Sequence, residues 1–386
     1  MRGPLARPVV IAAGGTGGHF FPAEALAAEL VRRGQRVVLF TDARRAAPSA
    51  SGSGGGASVL AGRERFVLRG AGIAGRGAWR GATALAALAV GTLQARHILA
   101  RLNATVLVGF GGYPSVAPVL GARLLRHPPA ILLHEQNAVL GRANRMLSRR
   151  ADLLALSHAT TQRVPPGVTT RLTGNPVRPA IAARAALPYV TAQHDIRLLV
   201  LGGSLGARVF SDIVPAALAL LPAALRGRLR VSQQCRAEDI ERVRQAYAAA
   251  RIEAELAVFF ADVAGLLACA HLVIARAGAS TVAELAAIGR PAVLVPLPHA
   301  IDDHQTANAR ALAAAGGAWL MPQAHCSAAA LAQRLEQLFA DPATLADAAA
   351  HAAAQGHVGA AVTLADAVDD LMSAHRGTSS TTEHAA

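Results

Sequence analysis

Residues 9–33 read VVIAAGGTGGHFFPAEALAAELVRR. The apolar run Val9–Ala13 predicts a buried strand, the glycines after it predict a tight turn, and Pro22–Arg33 has the apolar spacing of a helix. Similar apolar runs alternate with segments rich in Ala and Leu, at Val37–Phe40, Thr105–Val108, Ala130–Leu133 and Leu153–Leu156. This alternation is typical of an α/β fold with a parallel sheet.

The order of strand, glycine turn and helix begins again at residues 198–208, which read LLVLGGSLGAR. Further strands are predicted at Leu229–Ser232, Ala257–Phe260, Leu272–Ala275 and Ala292–Pro296. We therefore expect two facing Rossmann-like domains, residues 1–176 and 196–374, joined by a proline-containing linker at 177–195. A terminal helix is predicted at 343–372 and a polar, disordered tail at 375–386. Residues 43–62 contain a Ser/Gly run that predicts a mobile insert.

Composition restricts the classes of partner. The chain has 386 residues, 53% of them hydrophobic, which excludes disorder for most of its length. All 38 basic residues are arginine, against 24 acidic residues, so the net charge is +14. This excess suits an anionic membrane surface or a phosphorylated ligand, although a bias in base composition explains it equally well. Aromatic residues are only 4% and no base-stacking motif occurs, so we expect no nucleic-acid partner.

The cysteines and the apolar stretches bear on the compartment. Cys235, Cys269 and Cys326 are far apart and form no C-x-x-C, which argues against a disulfide framework or a zinc site and fits a reducing cytoplasm. The charge-free stretches are either interrupted by Gly and Pro or too short to cross a bilayer. We therefore predict no transmembrane helix.

The first glycine turn, GGTGGH at residues 14–19, has two interpretations. Small residues let a ligand approach the backbone, and the start of the following helix attracts anions, but the turn could also be purely structural. His19 opens that helix, where the positive end of the helix dipole disfavours an imidazolium. A neutral His facing a cleft can act as a general base, and a hydrogen-bonded structural His is the alternative.

Three further motifs follow predicted strands. The stretch HEQN at residues 134–137 places polar side chains at the carboxyl end of a parallel strand, where ligands bind. In RAGASTVAE at residues 276–284, Thr281 and Glu284 have the spacing of a capping box, while Glu284 could instead accept hydrogen bonds from ribose. In HAIDDHQTAN at residues 299–308, contacts to sugar hydroxyls are preferred to a metal site, with a helix cap as the alternative. We expect no metal site.

Residues 73–99 combine apolar side chains with arginines. Ile73, Trp79, Leu85, Leu88 and Leu93 are edged by arginines at positions 69, 76, 80 and 96. Such a segment suits an anionic lipid surface, and an ordinary amphipathic core helix is the alternative.

Seven motifs occur in a fixed order along the chain. They are GGTGGHFFPA at Gly14, GFGGYPS at Gly109, HEQNAVLGRANR at His134, GNPVR at Gly174, GGSLGAR at Gly202, RAGASTVAEL at Arg276 and DDHQTANA at Asp302. In these motifs the chain resembles the MurG family of bacterial peptidoglycan N-acetylglucosaminyltransferases, over roughly residues 8–370. Departures from the family pattern are the Ser/Gly insert, Ala277 in place of a common Ser, and the aromatic Phe260.

The resemblance implies a glycosyltransferase-B fold and a reaction. The enzyme would transfer GlcNAc from UDP-GlcNAc to the C4 hydroxyl of MurNAc-pentapeptide on undecaprenyl diphosphate (lipid I), with inversion, giving lipid II and UDP. No cofactor is implied. The implied location is the cytoplasmic face of the inner membrane, with peripheral attachment to anionic lipid. On the same fold, a UDP-GlcNAc 2-epimerase or another glycolipid glycosyltransferase is the alternative, and a non-catalytic nucleotide-sugar sensor is an alternative of another class.

The resemblance also implies the site residues, with His19 as the candidate general base. The substrate-binding candidates are Thr16, Gly17 and Gly18 in the first glycine loop, Asn137, Arg178, Ser204 in the second glycine loop, Phe260 with its backbone toward uracil, Ala279, Ser280, Thr281, Val282, Ala283 and Glu284 at the helix opening with Glu284 on ribose, and Gln305 on the sugar.

Overall fold

The computed structural model describes residues 7–14, 17–42, 59–60, 62–68, 78–185, 187–203 and 206–383, without the side chains of residues 17, 78–82 and 376–383. The chain forms two compact units. The first ends at Pro176 and resumes at Gly359, and the second runs from Val177 to Val358. Thr16, Ser204 and most of the predicted 43–62 insert lie outside the described residues.

The first unit is built on a parallel sheet in the order β3-β2-β1-β4-β5-β6-β7. Its strands are β1 (Val9–Ala12), β2 (Val37–Thr41), β3 (Arg65–Val67), β4 (Val106–Gly109), β5 (Ala130–Glu135), β6 (Leu153–Leu156) and β7 (Thr170–Leu172). Every residue of β1 is buried, and β1 pairs with both β2 and β4. Both faces of this strand are covered, which explains why its sequence is a continuous apolar run.

The helices of the first unit include one from the far end of the chain. They are α1 (Gly17–Arg32), α2 (Ala78–Leu102), α3 (Val116–Arg123), α4 (Arg142–Leu147) and α14 (Ala360–Glu383). Leu364, Val368 and Met372 of α14 are buried in the same core as β1 and α1. The α14 helix is tied to α1 by Arg33, which forms ion pairs with Asp366 and Asp369.

The last part of the chain corrects three expectations. The predicted boundary placed residues 359–374 in the second domain, but they belong to the first unit. The helix also continues to Glu383, where a disordered tail was predicted from His375. The single helix predicted at 343–372 is two helices, because the chain leaves helical geometry between Ala354 and Ala360. The sequence shows the apolar face of this last helix, but it does not show which sheet the face covers.

The second unit repeats the architecture, with the strand order β10-β9-β8-β11-β12-β13, all parallel. Its strands are β8 (Ile196–Leu201), β9 (Leu229–Gln234), β10 (Glu253–Ala257), β11 (Leu272–Ala275), β12 (Ala292–Leu294) and β13 (Ala318–Leu320). The strand predicted at Ala257–Phe260 is therefore wrong in position. Glu253 and Glu255 are exposed on an edge strand, so its sequence lacks the apolar run of a central strand.

Helices cover this second sheet. They are α5 (Pro179–Ala182), α6 (Arg208–Ala219), α7 (Ala223–Arg226), α8 (Ile240–Ala249), α9 (Val263–Cys269), α10 (Ala279–Ile288), α11 (His304–Ala314), α12 (Ala328–Ala340) and α13 (Pro342–Ala354). The buried Arg290 donates hydrogen bonds to carbonyls of Leu267 and Ala268 in α9 and of Ile288 at the end of α10. Its positive charge thus meets the negative ends of two helices. All three cysteines are free thiols.

The α2 helix is the one described helix that is long and apolar enough to cross a membrane, over Thr83–Leu102. One third of that segment is buried in the protein. Its buried residues, among them Ala95, Ile98 and Leu99, belong to the core beneath the first sheet. Leu85, Val90 and Leu93 are exposed. The helix therefore contributes to the core on one side and exposes apolar side chains on another.

Candidate functional site

In the first unit, the carboxyl ends of three neighbouring strands carry the polar motifs. β1 leads into the first glycine loop, β4 leads into Gly111-Gly112, and β5 leads into HEQN at residues 134–137. Gly112 has a φ of 64°, a conformation that residues with a Cβ rarely adopt. A Cβ on Gly112 would lie 3.4 Å from Nε2 of His19, so the glycine brings the backbone close to the imidazole.

His19 is joined to the HEQN motif by a hydrogen bond. Nδ1 of His19 lies 2.9 Å from Oε1 of Gln136. Nε2 of Gln136 lies 3.1 Å from the carbonyl oxygens of Phe110 and His134, and 3.0 Å from Nδ1 of His134. His134 completes the chain with Nε2 3.0 Å from the carbonyl oxygen of Gly174. Gln136 and His134 are both buried.

The environment of His134 keeps that ring uncharged. Burial lowers the pKa of His134 from 6.5 to about 4, against opposing effects of the Gly174 carbonyl and the Glu135 carboxylate. Desolvation therefore outweighs the hydrogen bond and the nearby negative charge. The ring enters the polar network as a neutral imidazole.

Glu135 organises the loop that follows β5. Its Oε1 accepts hydrogen bonds from the backbone and the side chain of Asn137, and its Oε2 accepts from the backbone of Gly141 and the side chain of Asn144. Four donors satisfy this buried carboxylate. The predicted substrate contact Asn137 is thus held by its own motif, and Asn144 is a positioning residue that sequence reasoning missed.

In the second unit, the second glycine loop follows β8. A Cβ on Gly202 would overlap the backbone nitrogen of Ala207, so only glycine fits there. The backbone N–H of Gly202 donates to Oε1 of Gln234, 3.1 Å away on the neighbouring strand β9. Gly202, at the start of the second glycine loop, is therefore anchored to the sheet.

The opening of α10 differs from the predicted capping box. The N-cap is Gly278, which provides no side-chain cap, and Glu284 lies in the second turn, so the interpretation of Thr281 and Glu284 as a cap is wrong. Instead, Glu284 pairs with Arg178 through two hydrogen bonds of 2.7 and 2.9 Å. Both side chains are largely buried. The first-turn amides of Ala279 and Thr281 precede the first intrahelical donor, Val282, and make a potential anion site at the start of α10.

Gln305 and Asn308 lie on the first turns of α11. Oε1 of Gln305 accepts from the backbone of Leu297, and Nδ2 of Asn308 donates to the carbonyl of Ala277 just before α10. Before α11, Asp302 and Asp303 both have left-handed backbones, with φ of 55° and 53°. Among the described residues, no group of three or more His, Cys, Asp or Glu is placed to hold a metal.

Phe260 follows the edge strand β10 and lines a cavity of about 630 Å³ together with Arg197, Arg230 and Cys269. Its side chain is buried. Its carbonyl begins the turn that leads from β10 into α9.

Arg276 is a second positioning residue without a predicted role. It is buried after β11, donates to the carbonyls of Val295 and Pro296, and donates to Oε1 of Gln323 at 2.7 Å. These bonds hold the segment after β12 against the start of α10. In the sequence, Arg276 stands directly after an apolar strand and opens the motif RAGASTVAE, but no role was assigned to it.

Comparison with known families covers both units. Residues 9–155 match the glycosyltransferase family 28 N-terminal domain. Residues 197–364 match the glycosyltransferase family 28 C-terminal domain. The division between the two matches falls in the same part of the chain as the boundary between the units.

Relatives of known name are similar over nearly the whole chain. A protein from Granulibacter bethesdensis is 62% identical over 96% of this chain and 95% of its own. One from Acidiphilium cryptum is 55% identical over 95% of this chain and 98% of its own. Both are named UDP-N-acetylglucosamine–N-acetylmuramyl-(pentapeptide) pyrophosphoryl-undecaprenol N-acetylglucosamine transferase. The crystal structure of Acinetobacter baumannii MurG superposes with a TM-score of 0.74 at 31% identity, covering 94% of this chain and 99% of that one.

Proposed function

Because the chain belongs to the MurG family within glycosyltransferase family 28, we propose that it transfers GlcNAc from UDP-GlcNAc to the MurNAc C4 hydroxyl of lipid I, giving lipid II and UDP. The observation that carries this conclusion is the 62% identity to a transferase of that name over 96% of the chain. The enzyme is a glycosyltransferase of peptidoglycan synthesis.

The second unit is proposed to bind the donor. The amides that open α10 suit the diphosphate. The contact of the Phe260 backbone with uracil is retained from the family resemblance, with Phe260 directly after the edge strand β10. The pairing of Arg178 with Glu284 changes the role of the arginine, because two of its donors already serve the carboxylate. We therefore assign Arg178 to orienting Glu284, whose remaining lone pairs accept the ribose hydroxyls. Gln305 is retained as a contact of the sugar.

The first unit is proposed to bind the acceptor and to supply the base. The C4 oxygen of MurNAc attacks the anomeric carbon, a new C–O bond forms, and the bond to the diphosphate breaks with its electron pair leaving on UDP. Nε2 of His19 takes the hydroxyl proton. Because the negative charge grows on the leaving diphosphate, amides aimed at it stabilise the transition state more than the ground state.

The proposed location is the cytoplasmic face of the membrane, with peripheral attachment through α2. Leu85 and Leu93 are 65% and 59% exposed, and Arg96 and His97 are exposed one turn further along. The neighbouring helix α3 packs on α2 and ends beside the exposed Leu124. Apolar side chains bordered by cations are typical of contact with anionic lipid.

The test is an assay of the purified protein with radiolabelled UDP-GlcNAc, with and without a lipid I analogue. Labelled disaccharide lipid and UDP that appear only with the acceptor support the transferase. Conversion of UDP-GlcNAc to its 2-epimer without any acceptor would instead support an epimerase. Binding of UDP-GlcNAc with no turnover under either condition would support a sensor and overturn the proposal.

A further inference from the structure

We propose that Gln136 is a positioning residue that fixes the tautomer of His19, so that Nε2 carries the lone pair and faces the acceptor. This inference rests on one part of the proposed function, which is the role of Nε2 of His19 as the base. Neither Gln136 nor His134 was expected to have such a role.

The orientation of the Gln136 amide is set by backbone carbonyls. One end of the amide lies 3.1 Å from the carbonyl oxygens of Phe110 and His134, which can only accept hydrogen bonds. That end must therefore be the NH₂ group. The opposite end, 2.9 Å from Nδ1 of His19, must be the oxygen. An oxygen there requires a proton on Nδ1, so a neutral His19 has its lone pair on Nε2.

His134 reinforces the same arrangement from the other side. The Gly174 carbonyl, 3.0 Å away, requires a proton on Nε2 of His134, which leaves Nδ1 of that ring as an acceptor. This acceptor faces the NH₂ group of Gln136 at 3.0 Å. Burial keeps the His134 ring neutral, so Nδ1 remains an acceptor over the working pH range. The hydrogen bonds that connect Gly174, His134, Gln136 and His19 thus each have a defined donor and a defined acceptor.

The tautomer that makes His19 a base is therefore fixed without a carboxylate partner. A carboxylate behind the imidazole would fix the same tautomer and also favour the imidazolium. A neutral amide fixes the tautomer alone. Gln136 is fully buried, so water does not compete for the amide oxygen.

The experiment reads the tautomer directly by ¹⁵N NMR of histidine-labelled protein at pH 8, with His19 assigned through the His19→Gln variant. We expect a proton on Nδ1 of His19 in the unsubstituted protein. In Gln136→Met, which keeps the shape but removes the amide, we expect a shift toward the proton on Nε2. Gln162→Met, a change of an exposed glutamine in the same unit, should leave the tautomer unchanged.

Kinetics give the second readout. Gln136→Met should lower kcat about tenfold or more while the KM for UDP-GlcNAc stays within about twofold. Gln136→Glu restores the acceptor for Nδ1–H and should recover part of kcat. A proton on Nε2 in the unsubstituted protein, or an unchanged tautomer in Gln136→Met, would overturn the inference. The tautomer of His19 in the unsubstituted protein is measured without this variant. The inference can therefore be overturned even if Gln136→Met does not fold. A shifted tautomer with unchanged kcat would support the positioning and overturn the base role.

Discussion

At the scale of single residues, His19 is the side chain on which the proposed chemistry depends. His19→Ala should lower kcat about 100- to 10,000-fold, because the acceptor hydroxyl loses its proton acceptor. The Kd of UDP-GlcNAc should change by no more than about threefold, since most donor candidates, from Arg178 to Gln305, lie in the second unit. Turnover with a lipid I analogue and titration calorimetry measure the two quantities. His357→Ala, at an exposed site, is the matched control. A variant with unchanged kcat would exclude the base role.

His134 predicts a pH dependence of stability. Its folded pKa of about 4 lies below the ordinary 6.5, so the unfolded chain binds a proton more readily. The stabilisation is fully present above pH 6.5 and is lost as the pH falls toward 4, by about 3 kcal/mol in total. Urea unfolding at pH 7.5 and 5 should show about 2 kcal/mol of this loss. His134→Gln should show a flatter profile in this window, and an equally steep profile would contradict the assignment.

Glu284 distinguishes a ribose contact from a helix cap. Glu284→Gln keeps the size of the side chain but weakens the pair with Arg178 and the acceptor for ribose, so the Kd for UDP should rise about tenfold or more. Thr281→Ala should leave the thermal stability within about 0.5 kcal/mol, because Gly278 and not Thr281 caps α10. Titration with UDP and thermal unfolding check the two variants. Normal UDP affinity in Glu284→Gln would contradict the ribose contact.

The sequence names candidate site residues but not the partners that hold them. Position at the end of a strand or the start of a helix left a structural alternative open for His19 and Glu284, and the family resemblance then implied them and Asn137 as candidates. The partner of His19 is 117 positions away in the sequence, and the partner of Glu284 is 106 positions away. No local pattern encodes such contacts, since they depend on how strands are ordered in the sheet. The capping interpretation of Thr281 and Glu284 failed for another reason. Spacing alone does not locate the first residue of a helix.

At the scale of elements, α2 predicts how the protein meets a membrane. Leu85→Glu with Leu93→Glu should reduce co-sedimentation with vesicles containing phosphatidylglycerol about tenfold, because charge on the exposed face opposes insertion. Leu220→Glu, equally exposed on the second unit, should not. Binding of the unsubstituted protein should weaken with salt. Equal loss in both variants would show that this face is not the contact.

Central strands were predicted well and edge strands poorly. Leu153–Leu156 and Leu272–Ala275 are buried apolar runs and match the structure from end to end. The short strands Arg65–Val67 and Thr170–Leu172 escaped prediction, since exposed edge positions need no apolar run. Helix α1 begins at Gly17, five residues before the predicted start at Pro22, which lies inside the helix. A proline near a helix start was therefore misread as its first residue.

At the scale of the whole molecule, α14 ties the end of the chain to its beginning. Truncation after Val358 should prevent cooperative folding of the first unit, because it removes Leu364, Val368 and Met372 from the core. Truncation after Arg376 keeps these residues and should unfold within a few degrees of the full chain. Calorimetry and protection from protease measure both. An intact first unit without α14 would contradict its placement in the core.

The division into two α/β units followed from the two glycine turns, and the sequence matches support the same division. The sequence did not show that residues 359–383 belong to the first unit, because an Ala-rich amphipathic helix can pack on either sheet. The composition and the helical spacing of the apolar residues show only that such a helix must pack against another surface. The ion pairs of Arg33 with α14 are visible only in the folded protein.

The placement of α14 has a consequence for synthesis. Nascent domains generally fold in order from the N-terminus as the ribosome releases them. Here the stretch from Val177 to Val358 is complete before the last helix has emerged, whereas the N-terminal sheet still lacks one of the helices that cover it. The half of the protein made first is therefore the last to mature, and the nascent N-terminal half depends on translation reaching its end.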